Sequence, residues 1–122
     1  RNYVGRAEYM NQAQIDKLAQ TGMEIGSHSL SHPNLASLDT EDAQTQIVDS
    51  KIDAQSFCYP AGKYNDTTVK QVMDAGYLAA VTTHFGIADQ NSNLLELPRV
   101  RVEDGSGQKL VDKISAALEQ TK

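Results

Sequence analysis

At 122 residues with 39% hydrophobic content, the chain is long enough for one compact core and too short for two, so it is read as one domain or part of one over residues 1–122. A net charge of −5, from 11 basic and 16 acidic residues without a basic cluster, argues against phosphate-backbone binding and makes nucleic acid an unexpected partner. Cys58 is the single cysteine, so no intramolecular disulfide can form; no apolar run is long enough to cross a bilayer, and Arg1-Asn2-Tyr3-Val4-Gly5 is not a signal peptide.

Helix-like and strand-like patterns alternate along the chain. Asn11 to Gln20 reads as a helix with Ile15, Leu18 and Ala19 on one face and Gly22 as its stop. Met23 to Ser27 follows as a short strand. Immediately after it, Gly26-Ser27-His28-Ser29-Leu30-Ser31-His32-Pro33 sets two imidazoles four residues apart. The flanking Gly26 and Pro33 argue against helix, and the residue before a proline is pushed toward extended backbone, so His32 is expected in a turn folding back on His28. Two neutral imidazoles converging on one point can bind zinc, cobalt or nickel if a carboxylate or thiolate completes the set. The plainer alternative makes His28 a strand cap and His32 a solvated turn residue.

Asp39 is a suitable N-cap for a helix to about Ser50 that carries Ala43 and Ile47 inward, with Glu41 and Asp42 at its positive end. Gln55 to Tyr59 reads as the next strand, ending at Pro60. Asn65 or Asp66 then caps a helix with Val69, Val72 and Met73 inward, closed by Ala75-Gly76. Leu78 to Thr83 is a third strand and Leu95 to Val102 a fourth, separated by a polar loop. Leu110, Val111, Ile114 and Leu118 give the last helix an apolar stripe, and Gln120-Thr121-Lys122 is expected to fray.

This alternation predicts an α/β fold with parallel strands, in which functional groups collect at the strands' C-terminal ends. His28 and His32, Pro60 to Gly62, and Thr83-His84 all fall there. Four strands cannot close a barrel, so an open sheet with an exposed edge is expected unless another chain covers it. Cys58 is read first as a small buried apolar residue, and Pro60 with Gly62 as a turn. Asp66, Asp89 and Asp104 read as caps and loop residues.

The run Thr21-Gly22-Met23-Glu24-Ile25-Gly26-Ser27-His28-Ser29-Leu30-Ser31-His32-Pro33-Asn34-Leu35 resembles the second motif of the polysaccharide deacetylase family, also called the NodB homology domain or carbohydrate esterase family 4. Ser56-Phe57-Cys58-Tyr59-Pro60-Ala61-Gly62-Lys63-Tyr64-Asn65 is similar to its third motif, a strand ending in Pro-aromatic-Gly. Gly76 to Thr83 and Leu97-Pro98-Arg99-Val100-Arg101-Val102 resemble the late strands of its extracellular branch. The family's first motif, a Thr-Phe-Asp-Asp run, is absent. The resemblance therefore implies part of a distorted (β/α) barrel that lacks its N-terminal βαβ unit and needs that segment, or another chain, for completion. It also suggests export or the cell envelope, with any targeting segment outside these residues.

The resemblance implies a hydrolase that removes acetyl groups from N-acetylglucosamine-containing glycans such as peptidoglycan, chitin-like chains or exopolysaccharide. His28 and His32 would be ligands of a divalent metal, zinc above all, and the backbone N–H of Ala61 the oxyanion donor. Cys58 stands where many relatives carry an arginine, so Arg99 or Arg101 could supply that guanidinium. The family's late Leu-x-His strand reads Leu97-Pro98-Arg99 here, leaving His84 as the remaining imidazole for a general acid. Tyr59, Pro60, Gly62 and Tyr64 are candidates to line a sugar groove. Without the first motif's aspartates the isolated chain is expected to be inactive. A noncatalytic glycan-binding or assembly module is the rival, and an unrelated zinc amidohydrolase a more distant one.

Overall fold

Cap chemistry, rather than apolar content, sets where the helices begin. In the computed structural model, which describes residues 4–121, helix α1 (Gln12–Gln20) starts at Asn11. Asn11 and Gln14 hydrogen-bond each other's backbone N–H reciprocally, at 2.9 and 2.8 Å. Asp39 opens α2 (Thr40–Val48) by accepting the N–H of Asp42, and Asn65 opens α3 (Asp66–Asp74) in a second reciprocal pair with Thr68. Gly76, at φ +86°, follows α3 in the left-handed conformation glycine adopts at low cost. Helix α4 (Gly107–Thr121) ends the described chain. Arg1 to Tyr3, in the excluded signal peptide, and Lys122, in the fraying end, lie outside the described residues.

Three parallel strands, β1 (Ser56–Cys58), β2 (Ala79–Phe85) and β3 (Leu97–Arg99), form an open sheet in the order β1-β2-β3. Phe57 pairs with Ala80, and Val81 with Leu97. The expected α/β class with parallel strands is therefore what forms, but only three of the four expected strands do. Met23 to Ser27 contributes a single parallel bridge, Ser27 to Phe57, while Met23 and Ile25 stay exposed. A strand exists only through its neighbours, and this segment bonds to one on a single side.

The last strand is also shorter than expected. Pro98 cannot donate to a ladder, and the β2–β3 register slips between Val81 and Phe85 opposite it. The Thr82 hydroxyl bridges this gap, donating to Leu97 O at 2.9 Å and accepting from His84 N–H at 3.1 Å.

The core sits where α2 and α3, packed on each other, cover β1 and β2. Leu35, Ala43, Ile47, Ala54, Phe57, Tyr59, Val72, Tyr77 and Ala80 form one buried cluster. Phe57 is at its centre, its ring 5.6 Å from Tyr59 and 5.3 Å from Tyr77 between centroids. Tyr77 donates to Ile47 O at 2.9 Å, so its hydroxyl is satisfied inside the core.

Helix α3 is rotated from expectation: Val72 is buried, but Met73 is exposed and Thr68 takes the inner position. Thr68 can be buried because Asn65 Oδ1 accepts from both its N–H and its hydroxyl. On α1 none of the residues is buried, and on α4 Ala117 alone is among those whose side chains are described.

Candidate functional site

The two histidines come together through a turn that is strained and then held by side chains. Ser29 and His32 both have left-handed backbone, at φ +70° and +57°, which costs a non-glycine residue roughly 1–2 kcal/mol. His32 thus folds back toward His28 as expected, but by a left-handed rather than an extended backbone. Ser29 Oγ accepts the His32 N–H at 2.9 Å and closes the turn. The rings meet edge to face, with centroids 4.8 Å apart. His28 Nδ1 lies 2.7 Å from Cys58 O, so the ring donates there. A histidine oriented in this way by a carbonyl is arranged as metal ligands are.

Helix α2 holds this turn from below. Gln46 Oε1 accepts the N–H groups of Leu30 and Ser31, both at 3.0 Å, and its Nε2 donates to Ser31 Oγ at 3.0 Å. One turn further on, Ser50 hydrogen-bonds the buried Ser27. The sequence reading missed both residues. Their signal was present, since Gln46 and Ser50 follow Ala43 at helical spacing and so place polar groups on an otherwise apolar face.

At the end of β1 the chain makes a tight turn, Pro60–Gly62, in which Ala61 is left-handed at φ +52°. The N–H groups of Gly62 and Lys63 are taken by Tyr59 O and Pro60 O, at 2.9 and 3.0 Å. The Ala61 N–H takes no part in these bonds and remains the donor of the turn. Gly62 lies so close to β2 that a Cβ there would overlap the Thr83 side chain.

Arg99 reaches across the sheet toward the same point. Its Nε donates to Thr82 O at 2.7 Å, and its Nη2 lies 3.4 Å from Cys58 Sγ. Cys58 is therefore only half-buried and polar in its contacts, not the apolar core residue expected. The hydrogen-bonding contact of the His28 ring with the Cys58 side chain draws the Cys58 thiol below its ordinary pKa and raises that of His28; Arg99 adds to the lowering at Cys58 and opposes the rise at His28.

Other candidates separate from this cluster. Arg101 points into solvent, with 86% of its side chain exposed, and pairs with Glu103 at 3.3 Å. Tyr59 and Pro60 are corrected as groove residues because both are fully buried. Tyr59 instead donates to Leu95 O at 2.8 Å, and burial pushes its pKa above the usual tyrosine value. Its ring stacks at 4.4 Å under Tyr64, which stays half-exposed. His84 is exposed at the end of β2, 6.0 Å from Tyr64 between ring centroids, and contacts neither His28 nor His32. Among the described residues no group of three His, Cys, Asp or Glu side chains could hold a metal. His28 and His32 thus converge without a third such side chain among the described residues.

Residues 3–80 match the family described as Polysaccharide deacetylase. YxkH of Bacillus subtilis, assigned by its name to the polysaccharide deacetylases, is 32% identical over 84% of this chain and 39% of its own length. The structure of the Streptococcus pyogenes deacetylase PplD in complex with acetate superposes with a TM-score of 0.82 at 30% identity, over 90% of this chain and 53% of that one. BC0361, a polysaccharide deacetylase from Bacillus cereus, shares the fold at a TM-score of 0.77 and 20% identity, covering 91% of this chain and 38% of its own.

Proposed function

The chain belongs to the polysaccharide deacetylase family, and from that membership we propose that it is part of a metal-dependent hydrolase removing acetyl groups from N-acetylated glycans. Peptidoglycan, chitin-like chains and exopolysaccharide are the substrate classes. The observation that carries this reading is the convergence of His28 and His32, with His28 Nδ1 engaged by Cys58 O.

His28 and His32 would hold a divalent cation, zinc or otherwise cobalt or nickel. Bound there, the cation would supply Lewis-acid polarisation of the acetyl carbonyl. The Ala61 N–H donates to the acetyl oxygen as it gains negative charge, a contribution on the order of 3 kcal/mol for one such donor. Arg99, anchored on Thr82 O, brings positive charge to the place where many relatives carry an arginine on β1. Tyr64, stacked on buried Tyr59, offers a supported ring face to the sugar, and Gly62 keeps the turn flush against β2. His84, beside Tyr64, is the imidazole available to protonate the leaving amine. The base and the remaining ligand come from an Asp-Asp segment outside these residues or on another chain.

The rival, a noncatalytic glycan-binding or assembly module, draws on the lack of a third ligand among the described residues. Acetate release from N-acetylglucosamine oligomers by the full-length protein separates the two. Activity that disappears in both His28→Ala and His32→Ala supports the hydrolase; binding of the oligomers without acetate release supports the module.

A further inference from the structure

We propose that Gln46 is a positioning residue of the histidine turn, holding it in the conformation that brings the two imidazoles together; the proposal rests on the metal reading of that pair. The geometry is specific. Both acceptor directions of one oxygen are used, on the consecutive N–H groups of Leu30 and Ser31, and the amide nitrogen is used on Ser31 Oγ. These two residues lie between the left-handed positions Ser29 and His32, where the backbone is least favourable and most in need of outside support.

Ser29 Oγ closes the loop from within but ties it to no other element. Gln46 instead fixes the loop to α2, whose neighbouring Ile47 is fully buried in the core. The imidazole spacing is thereby referred to the buried core. Partners one step removed from a metal ligand typically change affinity about 10- to 100-fold when removed.

The test uses the full-length protein, Co²⁺ alone as probe, and the variants Gln46→Leu, Gln46→Glu and His32→Ala. Glutamate keeps the acceptor oxygens and lets Ser31 donate instead, whereas leucine keeps the bulk and loses every polar contact. The expected result is Co²⁺ binding weakened about 10- to 100-fold in Gln46→Leu, with altered visible absorption bands, and restored to within about threefold in Gln46→Glu. Unchanged affinity and bands in Gln46→Leu would overturn the proposal, as would a loss that glutamate does not rescue. If the native protein binds Co²⁺ no better than His32→Ala, the metal reading fails by itself. Amide hydrogen exchange then decides the role of Gln46: faster exchange confined to Leu30 and Ser31 in Gln46→Leu supports it, and unchanged protection sinks it.

Discussion

Residues 35–80 and the two flanks of the chain carry similar apolar patterns and meet opposite fates. Among the described residues every buried hydrophobic one but Ala117 lies in that central stretch, whereas Met23, Ile25, Leu110, Val111, Ile114 and Leu118 are exposed on the flanks. The difference is one of partners. Helix α2 packs on α3 and puts Ala43 and Ile47 into the buried cluster, but the stripe on α4 finds no comparable surface among the described residues. An amphipathic pattern states which face of a helix can be buried, and only packing decides whether it is.

The largest effect should come from Phe57→Ala, in the centre of the packed region. Removing a ring that touches both Tyr59 and Tyr77 is expected to cost about 3–5 kcal/mol, as a cavity between two aromatic neighbours cannot close easily. Urea denaturation measures it directly. A cost below about 1 kcal/mol would mean that the centre is no better packed than the flanks.

Gly62→Ala comes next, because it imposes two penalties at once. The position is left-handed at φ +66°, which costs a side-chain-bearing residue roughly 1–3 kcal/mol, and the added Cβ overlaps Thr83. Pairing it with Thr83→Ala should recover most of the steric part, though not all, since the Thr83 Cβ would itself lie 2.9 Å away, and should leave the backbone part. Acetate release by the full-length protein should fall with the displaced Ala61 N–H, and recover in part with the pair.

The same contrast explains what could be read from the residues alone. Asp39 and Asn65 announce α2 and α3 because a cap is local chemistry, complete within four residues. The histidine pair and the Pro60–Gly62 turn were legible for the same reason, as short runs with their own geometry. Met23 to Ser27 was not, since a strand depends on neighbours that its own residues do not name, and Leu95 to Val102 was shortened by Pro98. Thr68 displaced Met73 inside α3 because Asn65 satisfies its hydroxyl, a contact that hydrophobic periodicity does not register. Gln46 escaped notice because its partners lie 15 and 16 residues away.

A smaller effect is expected at Tyr59. Tyr59→Phe loses one hydrogen bond to Leu95 O, worth about 1 kcal/mol at neutral pH. Burial raises the folded-state pKa of this group, so its proton stabilises the fold fully below the unfolded tyrosine value, and that stability is lost as pH climbs past about 10. The native chain should therefore weaken more steeply than Tyr59→Phe between neutral and strongly alkaline pH. Parallel profiles would show the ring to be open to solvent, like the flanks.

The smallest effect is expected on α4, and it tests the comparison from the other side. Ile114 is 39% exposed, and alanine is the better helix former, so Ile114→Ala should change stability by less than about 0.5 kcal/mol. Ile47→Ala, at a fully buried position on α2, should cost about 2–5 kcal/mol for the same chemical change. The two substitutions remove the same atoms from helices of the same kind, so their difference measures burial alone. Equal costs would mean that the α4 stripe is covered in solution, and the distinction between the centre and that flank would disappear.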